Sequence, residues 1–466
     1  MMESNKLKAA IAGGGLAGLA CAKRLVDGGF QVTLVEAEAQ LGGRTASWVD
    51  QTDGQTIESG VHTFFGPYSH LIRLLNEVGV EIEEIVSWSD KVAFLKSGSP
   101  LNIFGLDPLR NLGQFLGGLL GNNNLISPLA KITIGLAFAN GLLRLPYYEN
   151  FTVAQFARDG GIDSQTYERI LRPLSRGLAF CEPEELSAQV LLTLILDNAT
   201  KPWNLQVGTF KGGMSKVLIE PIARWLQSQG AHLKTHSPLR NIRLDNATEY
   251  SSGNITGFEL ENGEVLQGDV YVSALPLEVL QKLIPARLSQ LPYFDKILRL
   301  ETVPATAVQL WFDRTFISRD EFIFLSNSPV VVLQDESRIT FPYVGSRISC
   351  QITDRKKDDH SDQQLIDLAL REIQRFIPAS NIAQLQKAVV VRHRAIAIKP
   401  GVQRLRPRQT SPVPNFFLAG DYTRQNWFTT MEGATISGER VAAGVLQHNW
   451  PTSSVIEDMP EIIYQS

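Results

Sequence analysis

The sequence predicts an α/β fold, a parallel sheet assembled from distant pieces of one chain. Three observations predict it. The first sixty residues read as strand, glycine turn, helix and strand. Residues 230 to 276 alternate apolar and polar around an Asn262-Gly263 turn, the pattern of antiparallel strands. Residues 417 to 444, FLAGDYTRQNWFTTMEGATISGERVAAG, return to an apolar strand, a short aromatic loop and a helix opened by small residues. Length agrees, because 466 residues exceed one simple core and suit about two domains.

The first strand runs from Leu7 to Ala12. A helix opens near Leu16, with Leu16, Leu19, Ala20 and Leu25 largely on one face, and Gly28-Gly29 ends it. Gln31 to Glu36 is an apolar run suited to a parallel sheet. Between strand and helix, Gly13, Gly15 and Gly18 form GxGxxG, with Leu16 and Ala17 inside it. The first glycine permits the turn, the second lets backbone approach a pyrophosphate, and the third lets helix and strand close up. The helix end supplies free N–H groups to phosphate. Glu36, with Ala37 beside it, ends the second strand, where a carboxylate accepts from ribose hydroxyls. Gly42-Gly43-Arg44 adds a second backbone approach and a cation against the pyrophosphate charge.

This Glu-(x)n-GGR continuation resembles the FAD-binding start of the flavin amine oxidase superfamily, which includes carotenoid desaturases and protoporphyrinogen oxidase. The resemblance implies a discontinuous Rossmann-type FAD-binding domain (1–65, 206–279 and 406–450). It also implies an inserted α+β substrate domain (66–205 and 280–405), with 451–466 as a tail. It places Asp421, after Gly420, at the ribityl-phosphate region. It points the helix carrying Met431, Gly433, Ala434, Ser437, Gly438, Arg440 and Ala442 at the flavin ring, its small side chains letting the ring lie close. Leu239 would touch the adenine by backbone. None of Cys21, Cys181 and Cys350 lies in that helix, so the FAD is expected to be noncovalent.

The string IESGVHTFFGPYSHLIRLLNEVGV, residues 57 to 80, resembles plant and cyanobacterial phytoene desaturases through Gly60, His62, Phe64, Phe65, Gly66 and Tyr68. FCEPEELSAQ (180 to 189), LPYFDK (291 to 296) and WFDR (311 to 314) match as well. The resemblance implies dehydrogenation of a hydrophobic polyisoprenoid, with hydride passing to flavin N5 and electrons going on to a quinone or oxygen. Gly60, Val61 and His62 would contact the cofactor, and His62 is the single weak candidate for proton transfer. Tyr68, Tyr422, Trp427 and Phe428 are expected to line a hydrophobic channel. One departure bears on the substrate. Val217 stands where those desaturases carry an arginine, before Leu218 and Pro221, so hydroxysqualene or another carotene stays open beside phytoene.

Two other readings remain. An amine or amino-acid oxidase would use Tyr422, Trp427 and Phe428 as an aromatic cage, with Arg424 for a carboxylate. A carotenoid-binding flavoprotein would keep the FAD residues without turnover. Composition sets the outer limits. A net charge of −4 argues against nucleic acid as a partner, and three scattered cysteines without CxxC argue against a metal centre or disulfide scaffold. MMESNKLKAAIAGGG has no apolar signal core and no transit stretch, so a cytoplasmic location, or a form whose targeting peptide is absent, is expected. Residues 101 to 145 hold only Asp107, Arg110, Lys131 and Arg144 as charges, without a convincing transmembrane run, which suits peripheral contact with a membrane surface.

Overall fold

The computed structural model describes residues 6–106, 116–118, 120–199, 205–245, 253–353 and 359–447, with backbone alone at 196–199. Its central sheet has five parallel strands in the order His232–Lys234, Gln31–Val35, Lys8–Ala12, Val270–Ser273, Phe416–Leu418. The interior three show almost unbroken burial, as strands covered on both faces must. The helix Leu16–Asp27 follows the glycine turn and ends at Gly28. The last helix, Met431–Leu446, packs on it so closely that a Cβ on Gly438 would lie 2.2 Å from the Ala17 carbonyl oxygen.

The antiparallel strands expected at 230 to 276 are present as a small sheet, Leu239–Leu244, Ile255–Leu260 and Val265–Leu266. Residues 246–252 lie outside the described residues. The inserted part is built on a seven-stranded, mainly antiparallel sheet in the order 385–396, 302–312, 346–352, 330–335, 323–325, 91–95, 102–105. The helices Pro128–Leu143, Arg172–Ala179 and Ala188–Ala199 border it. A three-stranded sheet of Phe64–Phe65, Val207–Phe210 and Val86–Ser89 joins the two parts. Phe64, on one edge strand, is fully buried and in edge contact with Trp88 at 5.5 Å and Phe210 at 5.6 Å. The apolar half of the HTFFGPY string therefore builds a joint.

Candidate functional site

One cavity of about 1530 Å³ runs from the glycine turn into the inserted domain. At its first end a Cβ on Gly15 would meet nothing nearer than 3.9 Å, so the wall stands open there. The helix Leu16–Asp27 begins at that point with no side-chain cap, leaving its amides for a phosphate. The flanking glycines are closed. A Cβ on Gly18 would lie 2.0 Å from the Gly13 carbonyl oxygen, and one on Gly13 (φ +110°) 2.5 Å from that of Ala274. Gly42 donates to the Gly14 carbonyl at 2.8 Å and lays the Gly42–Arg44 turn over the fingerprint. The Glu36 carboxylate accepts from the amides of Gly14 at 2.7 Å and Glu38 at 3.0 Å. Glu36, Ala37, Pro238 and Leu239 share the cavity wall. An extended dinucleotide fits this cradle, with glycine backbone at its middle and a fixed carboxylate at one end.

Arg44 and Asp421 were expected to address different parts of the cofactor. They meet each other: Arg44 Nη2 donates to Asp421 Oδ1 at 2.7 Å, and the neighbouring carboxylate holds the guanidinium pKa above its ordinary value. His62 lies with Nδ1 2.9 Å from the Gly60 carbonyl oxygen and Nε2 2.8 Å from that of Arg44. Burial pushes the imidazole pKa down, and a neutral ring carries one N–H, so it donates to one of these two carbonyls at a time. In this arrangement His62 sits between the Gly60–His62 loop and the Arg44 turn, with main-chain carbonyls beside both ring nitrogens. Gly43, Gly60, Val61 and His62 all line the cavity.

The C-terminal helix differs from expectation in how it uses its small residues. Met431 and Ala434 line the cavity, whereas Gly433 and Gly438 serve packing: their Cβ atoms would strike the Trp427 and Ala17 carbonyl oxygens at 1.8 and 2.2 Å. Ser437 Oγ accepts from the Gly420 amide at 2.7 Å and so fixes the turn after the last strand. Glu432, fully buried, accepts from the amides of Ser69, His70 and Leu71 at 2.8 to 2.9 Å, capping the helix His70–Glu77 whose own Ser69 does not. Glu439 gathers Arg24, His70 and Arg73, which hold its carboxyl down to about 2.

Of the four expected channel residues, two line the cavity. Tyr68 and Trp427 do so as an edge-to-face pair with ring centroids 5.2 Å apart. Tyr422 and Phe428 do not; both pack in the core behind the sheet. The reason is Arg406, buried in the loop, which donates to the carbonyls of Asp421 at 2.8 Å and Gln425 at 2.7 Å and lies 4.0 Å from the Phe428 ring. That spoke turns two of the loop's aromatics inward.

The rest of the wall is apolar and comes from segments without a motif. It includes Phe94, Phe104, Ile134, Leu174, Phe180, Phe324 and Val332. Phe180, in the FCEPEE string, adopts φ +55°, while Glu182 and Glu184 of that string pair with Arg172. Val217 packs against the core and is not part of the wall. Sequence reading missed His393, on the wall with a buried Nε2 that lacks a partner and a pKa pulled down to about 4 by burial. It also missed Thr429, a β-branched wall residue held at φ +43°. Behind Gly60 and His62 lies a buried cluster of Glu58, Glu336 and Arg347. Burial raises both carboxyl pKa values, and Arg347 pairs with Glu336 at 3.3 Å. Arg347 and Gln309 both lie in unbroken buried runs of their strands, so no alternation in the sequence marks them.

The chain belongs to the flavin-containing amine oxidoreductase family, whose model matches residues 16–446. FAD is accordingly its cofactor, and the open fingerprint described above fits it. Over 458 residues the chain is 30% identical to the 15-cis-phytoene desaturase of Synechococcus elongatus, covering 94% of this chain and 96% of that protein. It is 28% identical over 492 residues to a probable zeta-carotene desaturase of the same organism, covering 95% and 99%. A solved oxidoreductase from Methanosarcina mazei shares the fold at a TM-score of 0.71 and 15% identity, covering 94% of this chain and 100% of that one.

Proposed function

We propose that this FAD-dependent oxidoreductase dehydrogenates a long, hydrophobic polyisoprenoid of the carotene class. The observation that supports it most is the continuity of one cavity, which begins at the dinucleotide fingerprint and ends among phenylalanines, leucines and isoleucines. A polyene of that kind has almost no polar group to recognise, so shape and water exclusion must align it. FAD, when bound noncovalently, supplies the two-electron acceptor for a C–H hydride. The chain's own residues orient and enclose. Arg44 and Asp421 join the two walls of the cradle, and the edge-to-face pair Tyr68–Trp427 lines the cavity beside the first turn of the C-terminal helix. The relatives that share nearly the whole chain are carotene desaturases by name.

The helix Pro128–Leu143 supports delivery from a membrane surface. Leu129, Ile132, Leu136 and Leu143 form one stripe, 60 to 86% exposed, while Lys131 and Ile134 on the opposite side line the cavity. Arg144 stacks on Tyr147 at 4.3 Å just beyond the stripe, an anchor pair suited to headgroup depth. No described helix is long and apolar enough to cross a membrane.

The test is anaerobic bleaching of the oxidised flavin by phytoene, zeta-carotene or hydroxysqualene in liposomes, against a panel of amines and amino acids. Bleaching by an isoprenoid that an added quinone reverses is the expected result. Bleaching by amines alone would overturn the proposal, and release of unchanged carotenoid without bleaching would favour a binding protein.

A further inference from the structure

The apolar wall contains one charge that nothing above uses. Lys131 is 8% exposed and is the only charged residue that the described chain between 63 and 392 contributes to the cavity wall. Its neighbours on that wall include Phe104, Leu106, Ile126 and Ile134. The ammonium donates to the Gly121 carbonyl and, at 2.9 Å, to Asn123 Oδ1. Neither partner is charged, and no carboxylate pairs with it among the described residues. An ammonium carries three donors, so one N–H remains. Its place compounds the cost. Lys131 stands in the opening turns of the helix capped by Ser127, where the peptide dipoles already present positive charge. Burial accordingly draws its pKa down.

A buried cation with two neutral partners and a spare donor, facing a lipid tunnel, calls for a ligand that completes it. A phosphate would require several donors, as arginine forks or helix amides provide, and this wall offers one. A hydrocarbon offers no acceptor at all. We propose that Lys131 receives a single oxygen carried on a long isoprenoid, and so selects chains bearing a hydroxyl or a carbonyl over pure hydrocarbons of the same length. The inference rests on the isoprenoid reading above. Its two sources are an oxygenated substrate and a prenylated quinone acting as electron acceptor.

Equilibrium binding to the FAD-loaded full chain, followed by tryptophan and flavin fluorescence, separates them. The probes are geranylgeraniol, menaquinone-4 and phytane, all with twenty-carbon chains. Wild type is expected to prefer at least one oxygenated probe over phytane by roughly 10- to 100-fold, the range for a hydrogen bond to a charged group. Lys131→Met should abolish that preference without weakening phytane, and Lys131→Arg should restore part of it. Preference for the alcohol alone identifies the substrate as source, and preference for the quinone alone identifies the acceptor. Equal binding of all three probes to wild type, or an undiminished preference in folded Lys131→Met, overturns the assignment. Failure of every probe to bind overturns the isoprenoid reading with it.

Discussion

The helices Met431–Leu446 and Pro128–Leu143 are both sixteen residues long and both border the cavity, yet they invert the relation between composition and burial. The first is rich in glycine, alanine and glutamate, and eleven of its residues are buried. The second is apolar nearly all round, and only four of its residues are. On the first, each glutamate has a defined partner set and each of Gly433 and Gly438 fills a place where a Cβ would collide. On the second, a leucine stripe faces outward with no protein against it among the described residues. The difference teaches what each helix has for solvent. One is surrounded by protein; the other turns an apolar stripe away from the described residues, which is the face the proposed membrane contact would use.

Changes on the C-terminal helix should cost most. Gly438→Val drives a side chain into the Ala17 carbonyl and is expected to lose about 3 kcal/mol and most bound flavin, read by thermal unfolding and the flavin-to-protein absorbance ratio. Glu439→Gln removes the carboxylate that Arg24, Arg73 and a hydrogen bond from His70 hold down to about 2. A depressed acid pKa stabilises above the unfolded value near 4.5 and loses that contribution as pH falls through about 2. The variant should therefore be less stable by roughly 3 kcal/mol at pH 7, with the gap closing towards pH 2, in denaturant titrations at several pH values. Glu432→Gln, which weakens the cap on His70–Glu77, should cost about 1 kcal/mol.

The outward helix should respond in the opposite way. Leu129→Ser with Leu136→Ser should leave unfolding within about 0.5 kcal/mol of wild type, because both side chains are exposed. The same pair should reduce co-sedimentation with liposomes several-fold. If those changes destabilised the fold while Gly438→Val did not, the contrast between the helices would be wrong.

The cofactor half was legible because its chemistry is local. A glycine turn, a terminal acid and a GGR sequence lie within residues 13 to 44, and their spacing alone describes a phosphate cradle. The fold class followed from the same strings. The apolar half was not legible, since its wall is drawn from residues such as Phe94, Leu174 and Phe324 that meet only when the seven-stranded sheet closes. Tyr422 and Phe428 show the limit of reasoning from proximity in sequence. They flank Trp427, but a buried arginine fifteen residues upstream of Asp421 decides which rings turn outward. Thr429 at φ +43° has no signature in the sequence at all.

The Arg44–Asp421 pair joins residues 377 positions apart, and the sheet beside it closes only when Phe416–Leu418 adds to Val270–Ser273. During synthesis the fingerprint therefore leaves the ribosome long before the partner that completes the cradle. At about 5 to 20 residues per second that interval is roughly 20 to 80 s. For that time a glycine-rich nucleotide site waits with one wall missing, so capture of the vitamin-derived cofactor comes at the end of assembly. Holo-protein thus reports that the whole chain has been made and docked, and a messenger truncated before residue 416 should yield a product that stays colourless.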